Sequence, residues 1–346
     1  MDSRETNDTR TIALCGDVML GRMVNARIAG RDFAHPWGDV IPHLRQADLF
    51  LVNLECALTD RAERWRDDHG KEFYFRADSS VVATLRIGRV DFASVANNHT
   101  LDFGVDGLLD TARVLDGAGI AHAGAGADLA EAQRPAILDA RGFRVAVVAF
   151  ADYPSVWAAT SDNPGLNFLR VSTDDSVFAG VRRSIAEARR QADAVVFCIH
   201  WGPNMRERPT AAFREFAARV LDAGATVFWG HSAHVVQGVE QPDRRVILYD
   251  TGDFIDDYAV DAFLRNDLSA LFFLELGAAG IATVRLLPVR IDDMQVNVAR
   301  GEDRAWFVRR LRELCEEMNT EVSEAADSPY LTVGPAPHRL PADGSG

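Results

Sequence analysis

Short apolar runs of β type recur along the chain, and most of them stop at a cluster of Asp, Asn, Glu or His. This recurrence constrains the fold more than any other feature. The runs are Thr11–Cys15, Asp48–Val52, Val90–Val95, Arg144–Phe150, Ala194–Ile199, Thr226–Trp229, Val246–Tyr249, Leu271–Leu276 and Thr283–Leu287. Each is too short for an independent helix and fits a buried strand. Helical patterns separate them. Asp106–Asp116 repeats apolar residues at helical spacing, and Thr173–Gln191 opens on a Thr-Asp-Asp capping triplet. Pro209–Ala223 starts on a proline and stops before Gly224, and Asp303–Glu317 is amphipathic. Alternating strands and helices predict α/β layering. The later runs lie closer together, which predicts antiparallel pairing in a second sheet.

A chain of 346 residues allows one large domain or two ordinary ones. No composition break divides the middle, so the expectation is one domain over 11–321, with flexible ends at 1–10 and 322–346. With 47% hydrophobic and 25% charged residues the composition is globular. The net charge of −14 speaks against nucleic acid or an anionic membrane as partner. A polyanionic substrate needs a metal or a local Arg cluster to invert that field. Lys71 is the only lysine; every other basic residue is arginine. No run reaches the ~18 residues of a membrane span, and the N-terminus lacks signal-peptide order. Cys15, Cys56, Cys198 and Cys315 are widely spaced and read as buried free thiols. The expected location is cytoplasmic.

The chemistry is concentrated where the strands end. The first run is followed by Gly16-Asp17-Val18-Met19-Leu20-Gly21-Arg22, the second by Asn53-Leu54-Glu55, and the third by Asn97-Asn98-His99-Thr100-Leu101-Asp102-Phe103-Gly104. Later runs lead into His200-Trp201-Gly202, Gly230-His231-Ser232-Ala233-His234 and Asp250-Thr251-Gly252-Asp253-Phe254. Ligands of α/β sheets bind beyond the carboxyl ends of strands. Four of the nine histidines fall at such ends.

This ordered set of motifs, from about Thr11 to Val298, resembles the CapA-type (poly-γ-glutamate capsule synthesis) family. The resemblance implies a calcineurin-like metallophosphatase fold, a β-sandwich with helices outside. It also implies a divalent metal at the strand ends, with Asp17, Glu55, Asn98, His200 and His234 as ligands and His231 at a ligand or near-ligand position. The chain departs from a true metallophosphatase in two places. Met19 stands where those enzymes have a histidine, and Asn53 with Glu55 replaces a motif carrying a bridging Asp. Such losses favour a single ion held largely by oxygen, hence Ca²⁺, Mn²⁺ or Mg²⁺ over Zn²⁺, and no organic cofactor. They also weaken a two-metal phosphoester mechanism.

Imidazole–carboxylate chemistry remains. The spacing of His99 and Asp102 lets the carboxylate orient the ring. His231 or His234 can form a second pair with Asp253 or Asp17, a choice the sequence leaves open. His99, Asp102, His231 and Asp253 are therefore the expected catalytic set, with His99 and His231 moving protons on opposite faces of the substrate. Arg22, Arg76, Arg206 and Arg208 lie near motif strands and suit a substrate carboxylate, Arg22 foremost. Arg22, Arg76, Asn53 and Trp201 complete the expected substrate contacts. The leading functional expectation is a metal-dependent peptide Cα epimerase of a ribosomal (lasso) peptide pathway, with a peptide as its partner. Poly-γ-glutamate synthesis or amide hydrolysis, and phosphoester hydrolysis, are the alternatives.

Overall fold

The computed structural model describes residues 9–29, 32–66, 71–326 and 328–336. Its frame is built, in chain order, from the strands β1 (Arg10–Val18), β2 (Leu49–Leu54), β3 (Phe92–Ser94), β4 (Phe143–Ala151), β5 (Ala194–His200), β6 (Val227–His231), β7 (Val246–Leu248), β8 (Leu268–Gly277), β9 (Gly280–Asp292), β10 (Thr320–Glu324) and β11 (Leu331–Pro335). The main helices are α1 (Gly104–Ala118), α2 (Asp175–Arg189), α3 (Ala211–Asp222) and α4 (Gly301–Glu316).

Two sheets carry the molecule. The first runs β10-β11-β9-β8-β1-β2-β3 and closes on Ala121–Ala123; the second runs β7-β6-β5-β4 between two short antiparallel edges. Strands β1, β2 and β3 are parallel, as are β4 to β7, so within each sheet their carboxyl ends point the same way. One hydrophobic cluster takes Leu14, Val52 and Phe272 from the first sheet and Val147, Val196 and Trp229 from the second. The outer face of the second sheet, with Phe197 and Phe228, packs under the apolar stripes Phe178-Val181-Ile185 of α2 and Phe216-Val220 of α3. Strands covered on both faces are apolar throughout, which explains the unbroken run Ala194–Ile199. The architecture is the α/β, calcineurin-like sandwich flanked by helices.

Helix signals were mostly accurate. Asp174 caps α2 by accepting from the Ser176 amide, and Gly224, at φ 111°, follows the end of α3. The start of α3 is one step later than Pro209 suggests: Thr210 is the cap and accepts from Phe213.

Two expectations need correction. The late runs do not form the second sheet. β8 pairs antiparallel with β1, from Arg10↔Leu276 to Leu14↔Phe272, and β9 follows it into the first sheet. Close spacing predicted the hairpin but carried no information about its neighbour. The expected flexible tail at 322–346 in fact begins with β10 and β11, which pair with each other and with β9. Val322, Leu331 and Val333 alternate with exposed residues and are buried, a half-covered edge pattern that the surrounding Pro and Gly obscured. Residues 1–8 and 337–346 lie outside the described residues.

Candidate metal centre

The register of the strands builds the site. In the first sheet Asp17 pairs with Asn53, and Asn53 with Ser94, at the carboxyl ends of β1, β2 and β3. In the second sheet His200 pairs with His231 at the ends of β5 and β6. Asp17 also pairs with Asp253, whose short strand lies parallel to β1. That approach is possible because residue 16 is glycine: a Cβ there would lie 1.7 Å from the Gly252 carbonyl oxygen. The Asp17 amide then donates to that carbonyl at 2.9 Å. The pairing of β1 with β2 is irregular between Leu14 and Asp17, a kink of the kind that re-aims side chains beside active sites.

Asp17 is the hinge of two donor groups. Asp17, His200 and His231 form one, and Asp17, Glu55 and His234 the other, with the ligand atoms of each group within 4.8 Å of one another. The single, oxygen-held ion expected from the sequence thus meets two overlapping groups, the first rich in nitrogen. Asn53 donates to Asp17 Oδ1 at 2.7 Å, and Asn97 donates to Asn53 Oδ1 at 3.2 Å, so amides fix the carboxylate from behind. Tyr258 donates to Glu55 Oε2 at 2.9 Å.

A divalent ion fits these residues. Asp17 Oδ2, Glu55 Oε1 and His200 Nε2 are buried with no hydrogen-bond partner. Buried polar atoms in native proteins are nearly always satisfied, so three orphans facing one centre call for a cation. Protonation agrees. Burial pushes the His231 imidazole down to about 4 and holds His200 well below its usual value, leaving both neutral as ligation requires. Burial works against ionisation of Asp17, yet the His234 imidazole 3.3 Å from Oδ2, with His200 and His231 nearby, keeps its carboxyl well below the usual range. Burial, with Asp17 alongside, raises Glu55 well above its usual value, a repulsion that a cation would relieve.

Two imidazole–carboxylate pairs flank the centre. His99 Nδ1 lies 2.6 Å from Asp102 Oδ2, and its Nε2 is 4.0 Å from Glu55 Oε1. The Phe75 ring stacks on His99 at 3.8 Å between centroids. Burial sets His99 at about 4, so it is neutral at pH 7 and able to accept a proton. The second pair is His234 with Asp253, at 2.8 Å. His234 has φ 61°, a strained conformation for a side-chain-bearing residue, and Asp250 supports the preceding loop by accepting from the Ala233 amide at 2.7 Å. Burial disfavours the His234 cation, but Asp253 and Glu55 together raise it well above its usual value.

The geometry redistributes several expected roles. His231 is fully buried, with Nδ1 2.8 Å from His200 Nδ1 and Nε2 3.2 Å from Cys198 Sγ. Its Nδ1 faces His200 and Asp17 inside the donor group and its Nε2 faces Cys198, so neither nitrogen points into open substrate space, and the carboxylate beside it is Asp17 at 3.6 Å, not Asp253. Asn98 is partly buried with Oδ1 unpaired, while its neighbour Asn97 makes the link to Asn53. Arg76 turns away, toward Asp78 and the carbonyl of Arg61. Trp201 is core: it stacks on Phe213 and donates to the Tyr249 carbonyl. Arg208 pairs with Glu317, and the Arg206 carbonyl accepts from Gln237. Arg22 stays at the rim, with Nε 3.3 Å from Asp257 and its guanidinium over Phe73 and Phe75. Asn97, Tyr258, Asp250 and Lys71 were missed as site residues, although Asn97 and Asp250 lie inside the quoted motifs.

Fold and site together place a buried Asp/Glu/His cluster that could hold a metal ion at the strand ends of a calcineurin-like sandwich. The model of the bacterial capsule synthesis protein family PGA_cap matches residues 11–258, and the chain belongs to that family. It is 30% identical to a probable polyglutamine synthesis accessory protein of Mycobacterium tuberculosis, over 95% of this chain and 97% of that one. It is 28% identical to the PGA biosynthesis protein CapA of Bacillus subtilis, over 83% and 73% of the two chains. The capsule biosynthesis protein CapA of Bacillus anthracis is 26% identical, over 83% and 69%. Among the described residues no helix is long and apolar enough to cross a membrane.

Proposed function

We propose that this protein is a metal-dependent enzyme acting on the backbone amides of a glutamate polymer or peptide, by hydrolysis or transfer. The observation that carries the reading is the convergence of orphaned donors of Asp17, Glu55 and His200 with the His99–Asp102 pair 4.0 Å from Glu55. When bound, the ion supplies Lewis-acid polarisation of a carbonyl. The residues that would hold it are Asp17, Glu55, His200 and His231, joined by His234 once it gives up the proton that Asp253 and Glu55 favour. The carboxylates suit Ca²⁺, Mg²⁺ and Mn²⁺, and the imidazoles place Mn²⁺ first. Asp102 accepts the Nδ1 proton of His99, which leaves the Nε2 lone pair to take a proton from the attacking group and return it to the leaving amine. Arg22 at the rim suits a substrate carboxylate. The names of the relatives, which concern polyglutamine and PGA synthesis, support a polyglutamyl substrate. Four buried free cysteines support a cytoplasmic location.

Cα epimerisation of a peptide is the second reading, favoured by one observation: two imidazole–carboxylate pairs, His99–Asp102 and His234–Asp253, border the same centre. Phosphoester hydrolysis is disfavoured, because Met19 is fully buried with its sulfur against the Gly21 amide. A single assay separates the readings. Metal-loaded protein is incubated with γ-linked oligoglutamate and with α-linked peptides, in H₂¹⁸O and in D₂O. Label in a new carboxylate supports hydrolysis; deuterium at Cα without cleavage favours epimerisation. Turnover of an aryl phosphate alone would overturn both.

A further inference from the structure

We infer that Lys71 is a positioning residue that fixes His99 through Asp102, an assignment that rests on the proposed proton-transfer role of His99. The Lys71 ammonium lies 2.8 Å from Asp102 Oδ1 and 2.5 Å from the Asn98 carbonyl oxygen, and 4.8 Å from the Trp157 ring centroid. One cation therefore holds both the partner of His99 and the backbone immediately before it. The Asp102 side chain is fully buried, and its other oxygen is already taken: Oδ2 accepts from His99 Nδ1 and from the Phe75 amide, both at 2.6 Å. Lys71 occupies the remaining oxygen. Two hydrogen-bond donors on Oδ2 and the ammonium paired with Oδ1 resist turning of the carboxylate, which keeps a proton acceptor aimed at Nδ1 and the Nε2 lone pair aimed toward Glu55.

Composition supports the assignment. In a chain with 37 basic residues, Lys71 is the one that is not arginine. An ammonium is a compact point charge that can serve two acceptors and an aromatic face at once, whereas a planar guanidinium needs a broader, flatter site. In the sequence the lysine stands out only by composition, because nothing in the motif Asn97–Asp102 names a residue 31 positions before Asp102.

The test uses the full chain labelled with ¹⁵N-histidine, together with kinetics. In the wild type a low-field Nδ1 proton should appear and vanish in His99→Gln, which assigns it. Lys71→Met should lose this resonance, and kcat should fall about 10–100-fold with KM little changed. Lys71→Arg, which keeps the charge in the wrong shape, should recover part of both. A Lys71→Met protein that keeps the resonance and wild-type kcat overturns the assignment. Should Lys71→Met not fold by circular dichroism, Lys71→Gln takes its place under the same criteria. If the wild type turns over no glutamyl substrate, the functional reading fails by itself, and the resonance alone decides the role of Lys71.

Discussion

The two sheets contribute different chemistry to one centre. The first sends oxygen and amide groups from β1, β2 and the loop after them: Asp17, Asn53 and Glu55. The second sends nitrogen: His200 and His231 from β5 and β6, then His234 from the following turn. Neither side suffices. The carboxylates without the imidazoles would be a buried cluster of like charges, which costs free energy unless neutralised. The imidazoles without the carboxylates would be neutral rings lacking a counter-charge for an ion. The contrast teaches that a cation bound here would also tie the two sheets together at their carboxyl ends, so ligand loss from either side should damage the same property.

The largest effect should come from Asp17, which belongs to both donor groups. Asp17→Asn removes the shared charge, and metal-dependent turnover should fall ~10³-fold or more, since a bound ion contributes several kcal/mol to the transition state. Next is His99→Ala. It should cost ~10²–10⁴-fold in kcat, the usual range for a general acid–base group, with bound metal unchanged by elemental analysis. A parallel loss of metal in His99→Ala would move His99 into the ligand set and redraw the comparison.

Metal removal should be felt in stability. An ion held at ~100 times its dissociation constant stabilises a folded protein by about 2.7 kcal/mol. Chelation should therefore lower Tm in the wild type and hardly at all in Asp17→Asn or His200→Ala. Equal chelator shifts in all three proteins would place the ion elsewhere. The smallest effect belongs to Arg76→Ala. This side chain faces Asp78 and the Arg61 carbonyl, so turnover should stay at wild-type level and stability should change by about 0.5 kcal/mol or less. A raised KM in that variant would return Arg76 to the substrate site.

Much of this site was legible because strand ends announce themselves: an apolar run that stops at Asp17, Asn53, His200 or His231 has only one end at which to place a polar side chain. The His99–Asp102 pair was legible for a similar local reason, three residues of spacing in one loop. What was hidden depended on contacts far apart in sequence. His234 meets both candidate carboxylates, Asp253 at 2.8 Å and Asp17 at 3.3 Å, because Asp253 lies beside Asp17 in a short parallel strand. The burial of His231 depends on Cys198 one strand away. Trp201 looked like a pocket wall because it follows a ligand, but alternation along the chain turns it to the opposite face, against Phe213 and Phe228. The edge strands β10 and β11 were hidden for the reverse reason, since their Pro and Gly neighbours outweighed a short alternating pattern.

The central claim is that carboxylates of one sheet and imidazoles of the other hold one divalent metal centre. It is tested most directly by titrating chelator-treated protein with Mn²⁺ in a calorimeter, using the wild type, Asp17→Asn and His200→Ala. Saturable binding to the wild type and loss of it in both variants, one from each sheet, is the expected result. Absence of binding to the folded wild type, or binding that survives both substitutions unchanged, would contradict it.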